Sequence, residues 1–213
     1  MTTDHAIAPR GRVAGVVLAG GDSSRMGRPK ALLPLAGSTF LETICARLRD
    51  AGAGEIVIVA GSAAEAIRKA LPLDKEMLVV NPRPELGQLS SLQVGVRALG
   101  AGVPAAIVCL VDHPTVSGDT YGRLIQSWRL NRGSIILPVR NGKHGHPIVL
   151  DRRFFAQLLA PAPAATMRAI VHANDEETLD VAVDDSGINA DVDTPEDYER
   201  LLDSVQRATS GAP

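Results

Sequence analysis

The chain is poor in cysteine: among 213 residues there are two, Cys45 and Cys109, both in apolar stretches. A disulfide framework is therefore not expected, neither thiol stands out as a nucleophile, and a reducing, cytoplasmic setting is the natural one. No apolar run approaches the ~20 residues of a membrane-spanning helix. The opening MTTDHAIAPRGR also lacks the apolar segment of a secretory leader, so a soluble protein with no membrane partner is expected. Charge of one sign is missing as well. Lys and Arg number 22 against 24 Asp and Glu, a net charge of -2, which offers no basic field for nucleic acid. Any anionic ligand must be held by a local cluster. Two common phosphate motifs are absent too: there is no G-x-x-x-x-G-K-[ST] and no G-x-G-x-x-G after a strand, which removes the P-loop and the dinucleotide fingerprint. No internal repeat is present.

With 45% hydrophobic residues, the length suits one sizeable core. Residues 13–206 read as a single domain between flexible ends, 1–12 and 207–213. Apolar runs and helical patterns alternate as in an α/β protein with a largely parallel sheet. Strands are expected near 13–19, 55–60, 76–80, 105–110, 134–139, 146–150 and 178–183. Helices are expected near 39–51, 62–71, 90–99, 117–130, 151–159 and 195–206. Asn141-Gly142 between apolar runs signals a hairpin-like reversal and at least one antiparallel strand. Segment 160–168 stays unassigned or partly helical, and Trp128 with its neighbouring leucines reads as helix core.

The richest stretch is VAGVVLAGGDSSRMGRPK, residues 13–30. A buried strand runs into a turn too small and polar for the core, which must be a surface loop. Gly20 and Gly21 let consecutive backbone N–H groups converge on an anion, and Arg25 and Lys30 add full positive charge. The pattern is that of a phosphate site. Ligands of open α/β sheets sit beyond the carboxyl ends of strands, and the run Ile107 to Val111 ends there in Asp112-His113-Pro114. Pro114 stiffens that turn. By itself such an Asp is either a turn former or a site carboxylate. In ADVDTPEDYERLL, Thr194, Pro195, Glu196 and Asp197 form a helix-start signal. That signal leaves Asp191 and Asp193 unexplained, which would share a side of an extended approach.

LAGG-x-SSRMG-x-x-K resembles the signature loop of the MobA-like nucleotidyltransferases, which have a nucleotide-diphospho-sugar transferase fold. RPKALLPLAG most resembles the branch containing molybdenum cofactor cytidylyltransferase. The resemblance implies a Rossmann-like three-layer α/β/α fold with a mostly parallel mixed sheet. It also implies Mg²⁺-dependent transfer of a nucleoside monophosphate from a triphosphate onto the phosphate of molybdopterin or a similar acceptor, with release of pyrophosphate. A molybdoenzyme or its maturation factor would be a downstream partner. Leu18, Ala19, Gly20, Gly21, Arg25 and Lys30 would hold the nucleotide, with Arg25 and Lys30 on its phosphates. Asp112 and Asp193 would hold the metal, with Asp191 as a lesser partner.

In G-x-x-SSL, Gly87, Ser90 and Ser91 would contact base or ribose, although a hydroxyl near a helix start also serves simply as a cap. Gln88 stands where relatives often have Met. His146, in Gly145-His146-Pro147, would contact the acceptor. His144 and His146 at alternate positions suggest zinc, but no third and fourth ligands accompany them. The base signals are mixed: LAGG resembles the guanylyl version of the loop, and cytidylyltransferases more often carry Ala at the position of Gly20. The longer match favours CTP over GTP. The same branch includes nicotine blue oxidoreductase, which leaves an NAD(P)H-dependent reductase open, and a non-catalytic cofactor-binding protein is a third reading.

Overall fold

The computed structural model describes residues 11–21, 26–73, 75–130, 132–160 and 166–210. Ten strands and seven α-helices alternate along it in the expected manner. The strands are β1 (Ala14–Ala19), β2 (Pro34–Leu35), β3 (Ser38–Thr39), β4 (Ile56–Ala60), β5 (Glu76–Val80), β6 (Ala105–Leu110), β7 (Ile135–Arg140), β8 (Lys143–His144), β9 (Ile148–Asp151) and β10 (Thr178–Ala182). The helices are α1 (Phe40–Asp50), α2 (Ala64–Ala70), α3 (Gln88–Ala98), α4 (Gly118–Arg129), α5 (Phe155–Leu159), α6 (Met167–Ala173) and α7 (Pro195–Ser210).

The main sheet runs β10-β7-β9-β6-β1-β4-β5, with β8 added to β7. β1 pairs in parallel with β4 on one side and β6 on the other, while β9 is antiparallel to both β6 and β7. The order therefore reverses at β1, and the loops after β1 and β6 diverge to open a crevice at that switch point. Alternation along the strands divides the core into two layers. Val17, Ile58, Ile107 and Cys109 face the layer covered by α1 and α4. Val16, Leu18, Val57, Val59 and Val108 face the layer covered by α3, α5 and α6. The result is a helix–sheet–helix sandwich. No described helix is long and apolar enough to cross a membrane.

The Asn141-Gly142 reversal is present, both residues having positive φ of 51° and 73°, and it joins antiparallel β7 and β8. Three expectations need correction. α3 starts at Gln88 with Gly87 at its N-cap position, so Ser90 and Ser91 sit inside the first turn and do not cap it. Segment 160–168, read as unassigned or partly helical, ends in the start of α6, capped by the Thr166 side chain, and what the expectation lacked is the continuation of that helix to Ala173; residues 161–165 lie outside the described ones. The last helix continues to Ser210, past the expected end at 206.

α3 reaches the sheet through Gly95. A methyl group there would stand 2.6 Å from Val16 Cγ1 and 2.9 Å from Val59 Cγ2, inside van der Waals contact with two fully buried strand residues. Overpacking of this kind costs about 1–3 kcal/mol. Gly95→Ala is expected to lower the stability measured by urea unfolding by that amount. A loss under ~0.5 kcal/mol would show that α3 slides without penalty.

Candidate active site

Leu18 and Ala19 end β1, and Gly20 and Gly21 follow at the crevice. Among the described residues nothing lies within 4 Å of where a Cβ on Gly21 would be, whereas at Gly20 a Cβ would lie 3.2 Å from Ser91 Oγ and 3.4 Å from Gly61 N. One glycine thus faces ligand space and the other faces α3. Arg25 lies outside the described residues. Lys30 opens a short 3₁₀ turn over Lys30–Leu32. Its Nζ is hydrogen-bonded to Asp193 Oδ1 and lies 3.9 Å from Asp112 Oδ2. With a side chain only 12% exposed, it is a partly desolvated cation wedged between two carboxylates, not the mobile surface charge that a loop Lys suggests.

Asp112 and Asp193, far apart in sequence, are joined through their backbones: Val192 N–H donates to the Asp112 carbonyl at 2.9 Å. Val192 is buried and Asp191 exposed, so the chain turns Asp193 towards Lys30. The helix start beside it is built as expected. Thr194 Oγ1 accepts from Asp197 N–H at 3.2 Å, and Asp197 Oδ2 accepts from Thr194 N–H at 2.9 Å. Below Asp112, the Arg47 guanidinium donates to the carbonyls of Pro114 and Val116 and fixes the turn.

Burial pushes the Asp112 carboxyl above its usual range; His113 and then Lys30 pull it back, and Asp193 adds to the upward push. Its Oδ1 is buried without a hydrogen-bond partner. A desolvated carboxylate with a spare oxygen beside a second carboxylate fits a small divalent cation, which takes hard oxygen donors and completes its shell with water and phosphate. No group of three His, Cys, Asp or Glu side chains suited to a metal occurs among the described residues.

Two adjoining cavities open here, and Asp112 lines the smaller. One, of ≈ 490 Å³, is lined by Gly20, Gly21, Lys30, Gly87, Ser91 and Asp112. The other, of ≈ 750 Å³, is lined by Ser90, His146, Arg83, Arg97 and Met167 among others, and both share Leu18, Gln88 and Leu110. The serines are held by a residue that sequence reasoning passed over. Asn81, 3% exposed, donates from Nδ2 to Ser90 Oγ at 2.7 Å and to Ser91 Oγ at 3.0 Å. Ser62 and Glu85, in the smaller cavity, were also missed. Asn81 was findable, since it is a polar residue directly beyond a strand end, as Asp112 is. Ser62 and Glu85 carry no such signal.

His144 and His146 part company. His144 is exposed, with Nε2 2.8 Å from Asp180 Oδ1, and His146 turns inward with its ring centroid 5.6 Å from that of His113. A shared zinc is thereby excluded. The Gly145-His146 backbone is pressed against Ile188: His146 N–H donates to its carbonyl at 3.0 Å, and a Cβ on Gly145 would fall 2.2 Å from the same oxygen.

The chain belongs to the family described as the MobA-like NTP transferase domain, whose model matches residues 15–209. Nicotine blue oxidoreductase of Paenarthrobacter nicotinovorans is 36% identical, covering 89% of this chain and 96% of that protein. Molybdenum cofactor guanylyltransferase of Xanthomonas euvesicatoria is 32% identical (88% and 93% covered), and molybdenum cofactor cytidylyltransferase of Escherichia coli K12 is 27% identical (86% and 92% covered). A Mycobacterium tuberculosis H37Rv protein solved in complex with manganese superposes with a TM-score of 0.77 at 30% identity, covering 91% of this chain and 100% of that one.

Burial, and secondarily His113, push the His146 ring down to about 4, so it is neutral at neutral pH. The unfolded chain takes up a proton near pH 6.5, which the folded chain refuses until about 4. This group's contribution therefore falls as pH drops through that window. Urea unfolding across pH 4–6.5 should show wild type losing stability relative to His146→Phe as the pH falls. A constant difference between the two proteins would place the ring in solvent.

Proposed function

We propose that the protein transfers CMP from CTP to the phosphate of molybdopterin or a similarly phosphorylated acceptor and releases pyrophosphate. The observation that carries this reading is the Lys30 ammonium between Asp112 and Asp193, with Lys30 and Asp112 lining the smaller of two cavities that share a wall. The smaller cavity, floored by the glycine turn, suits the triphosphate; the larger, with His146, Arg83 and Arg97, suits an anionic acceptor with apolar faces.

In the reaction, an acceptor phosphate oxygen attacks the α-phosphorus, the bond to the α–β bridging oxygen breaks, and pyrophosphate departs with that oxygen. The attacking oxygen is already ionised at neutral pH, so no general base is required. What remains is positioning and neutralisation of charge. Gly20 and Gly21 offer backbone N–H groups to the phosphates, and Lys30 supplies a fixed positive charge where negative charge gathers. Asp112 and Asp193 would hold Mg²⁺, whose contribution when bound is to neutralise charge around the α-phosphate. Ser90 and Ser91, held by Asn81, favour the ribose and base side of the junction. His146, neutral and half-buried, supports a role in packing against the acceptor.

A second reading rests on the 36% identity to nicotine blue oxidoreductase: an NAD(P)H-dependent reductase in which the same cleft takes a nicotinamide nucleotide. The paired carboxylates around Lys30 weigh against it, because a hydride transfer has no need of a metal-competent pair. CTP is favoured over GTP by RMGRPKALLPL and the Gly145-His146-Pro147 loop. The glycine at position 20 has a physical cause within this chain, since an alanine methyl would crowd Ser91 Oγ.

The decisive assay is pyrophosphate release with each nucleoside triphosphate, Mg²⁺ or Mn²⁺, and molybdopterin, run beside NAD(P)H oxidation with quinone-like dyes. Release with CTP well above GTP is expected. Preference for GTP would remove the cytidylyl assignment and keep the mechanism; dye-dependent NAD(P)H oxidation without pyrophosphate would establish the reductase.

Asp112→Asn should leave a folded protein with pyrophosphate release down by about 100-fold or more, since an amide is a poorer ligand for Mg²⁺ and carries no charge. Asp193→Asn should be nearly as damaging and Asp191→Asn close to wild type, because only Asp193 meets Lys30. Equal losses at 191 and 193 would show the division to be wrong.

A further inference from the structure

Asn81 stands directly beyond β5 and is buried, 3% exposed. Its Oδ1 accepts from Arg83 N–H at 3.0 Å. A backbone N–H only donates, so the oxygen and nitrogen of this amide cannot be exchanged. Nδ2 is therefore left to give its two hydrogens to Ser90 Oγ at 2.7 Å and Ser91 Oγ at 3.0 Å. Both hydroxyls are acceptors towards Asn81, and each keeps one hydrogen to place elsewhere.

Ser90 gives its hydrogen to the backbone, where the carbonyls of Gly87 and Arg83 lie at 2.9 and 3.1 Å. For Ser91 the usual outlet in a helix is the carbonyl four residues back. That carbonyl is Gly87, which already takes Ser90 Oγ and Ser90 N–H. Among the described residues the Ser91 hydroxyl donates to no acceptor. Ser91 is 5% exposed, and a buried O–H left without an acceptor is costly. The residue borders the smaller cavity, where an acceptor can be met. Ser91 Oγ lies against the glycine turn, close to where a Cβ on Gly20 would be, and that same Cβ would approach Gly61. Gly61 comes off β4, whereas Asp112 comes off the end of β6, on the opposite side of β1. Phosphates held near Lys30 and Asp112 leave the nucleoside half of a nucleotide for the Ser91 end.

We propose that Asn81 is a positioning residue that makes Ser91 an obligatory hydrogen-bond donor to the nucleoside half of the bound nucleotide, to an oxygen or ring nitrogen of the base or ribose. The proposal rests on the reading of the smaller cavity as the nucleotide site and adds to it the polarity of one contact. A ligand group that can only donate is refused at this position, because it meets another donor.

Two substitutions test the polarity. In Asn81→Asp, close to isosteric, the carboxylate still accepts from Arg83 N–H but now accepts from Ser91 as well, drawing the hydrogen away from the cavity. Ser91→Ala removes the donor outright. Affinity for the α,β-methylene analogues of CTP and GTP with Mg²⁺ is measured by calorimetric titration for wild type, each single variant and the double variant, with thermal unfolding as the control for folding. Each single variant is expected to bind the preferred analogue about tenfold more weakly at a similar melting temperature. Adding Asn81→Asp to Ser91→Ala is expected to cost less than about twofold more, because the two act on one hydrogen.

A second full loss in the double variant would show charge repulsion in place of hydrogen-bond polarity and overturns the proposal, as does wild-type affinity in either single variant. If Asn81→Asp fails to fold, Ser91→Ala decides. Ribose 5-triphosphate titrated alongside assigns the acceptor within the proposal: a Ser91→Ala loss that persists puts it on the ribose, and one that disappears puts it on the base. If wild type binds neither analogue, the reading of the cavity falls and the proposal with it. If wild type binds and the single variants match it, the proposal alone falls.

Discussion

A carboxylate taken out of water at the end of a central strand demands a cation, and much of this site answers that demand. Asp112 stands two residues past the end of β6, where the sheet delivers it to the crevice rim. Burial raises the cost of its charge, and Lys30 and His113 offset that cost from two sides. Lys30 gains a second carboxylate in Asp193, leaving a cluster with one more negative group than the lysine can neutralise. Pairing of buried charges is weak support for stability, but excess negative charge of this kind suits a divalent cation.

One short segment ties this chemistry to the rest of the cleft. Between Gly187 and Asp193 the chain gives its Gly187 carbonyl to His113, its Ile188 carbonyl to His146 N–H and its Val192 N–H to the Asp112 carbonyl. Residues of both cavities are thus referred to a single strap, anchored at its start by Asp185 bonded to Ser117 and Thr120. Local movement of the strap would shift both sides together. A substitution in it would therefore disturb the linings of both cavities at once.

Much of this was legible beforehand. The central strands stand out because two-sided burial writes them as unbroken apolar runs, so β6 falls on 105–110 as expected. Asp112 was visible as a polar residue ending such a run, and Thr194 as a helix cap. Helix starts were harder: Gly87 adopts φ 83°, and a backbone cap of that sort has no hydroxyl to advertise it, so Ser90 and Ser91 drew attention that belonged to the glycine. The strap was invisible, because it contributes backbone carbonyls and N–H groups, which every sequence has. The contact of His113 with the Gly187 carbonyl was hidden for a related reason, since the two are distant in sequence. The pairing of Lys30 with Asp193 was likewise beyond local pattern, being a contact across 163 residues.

The shared wall between the two cavities has a geometric consequence. Leu110 is the last residue of β6, paired in register with Leu18 of β1, and both side chains border both chambers. Molecules held one in each cavity would be separated by roughly the thickness of one aliphatic side chain. Their spacing would be set by the hydrogen-bond ladder of two central strands and would not change as the surrounding loops moved.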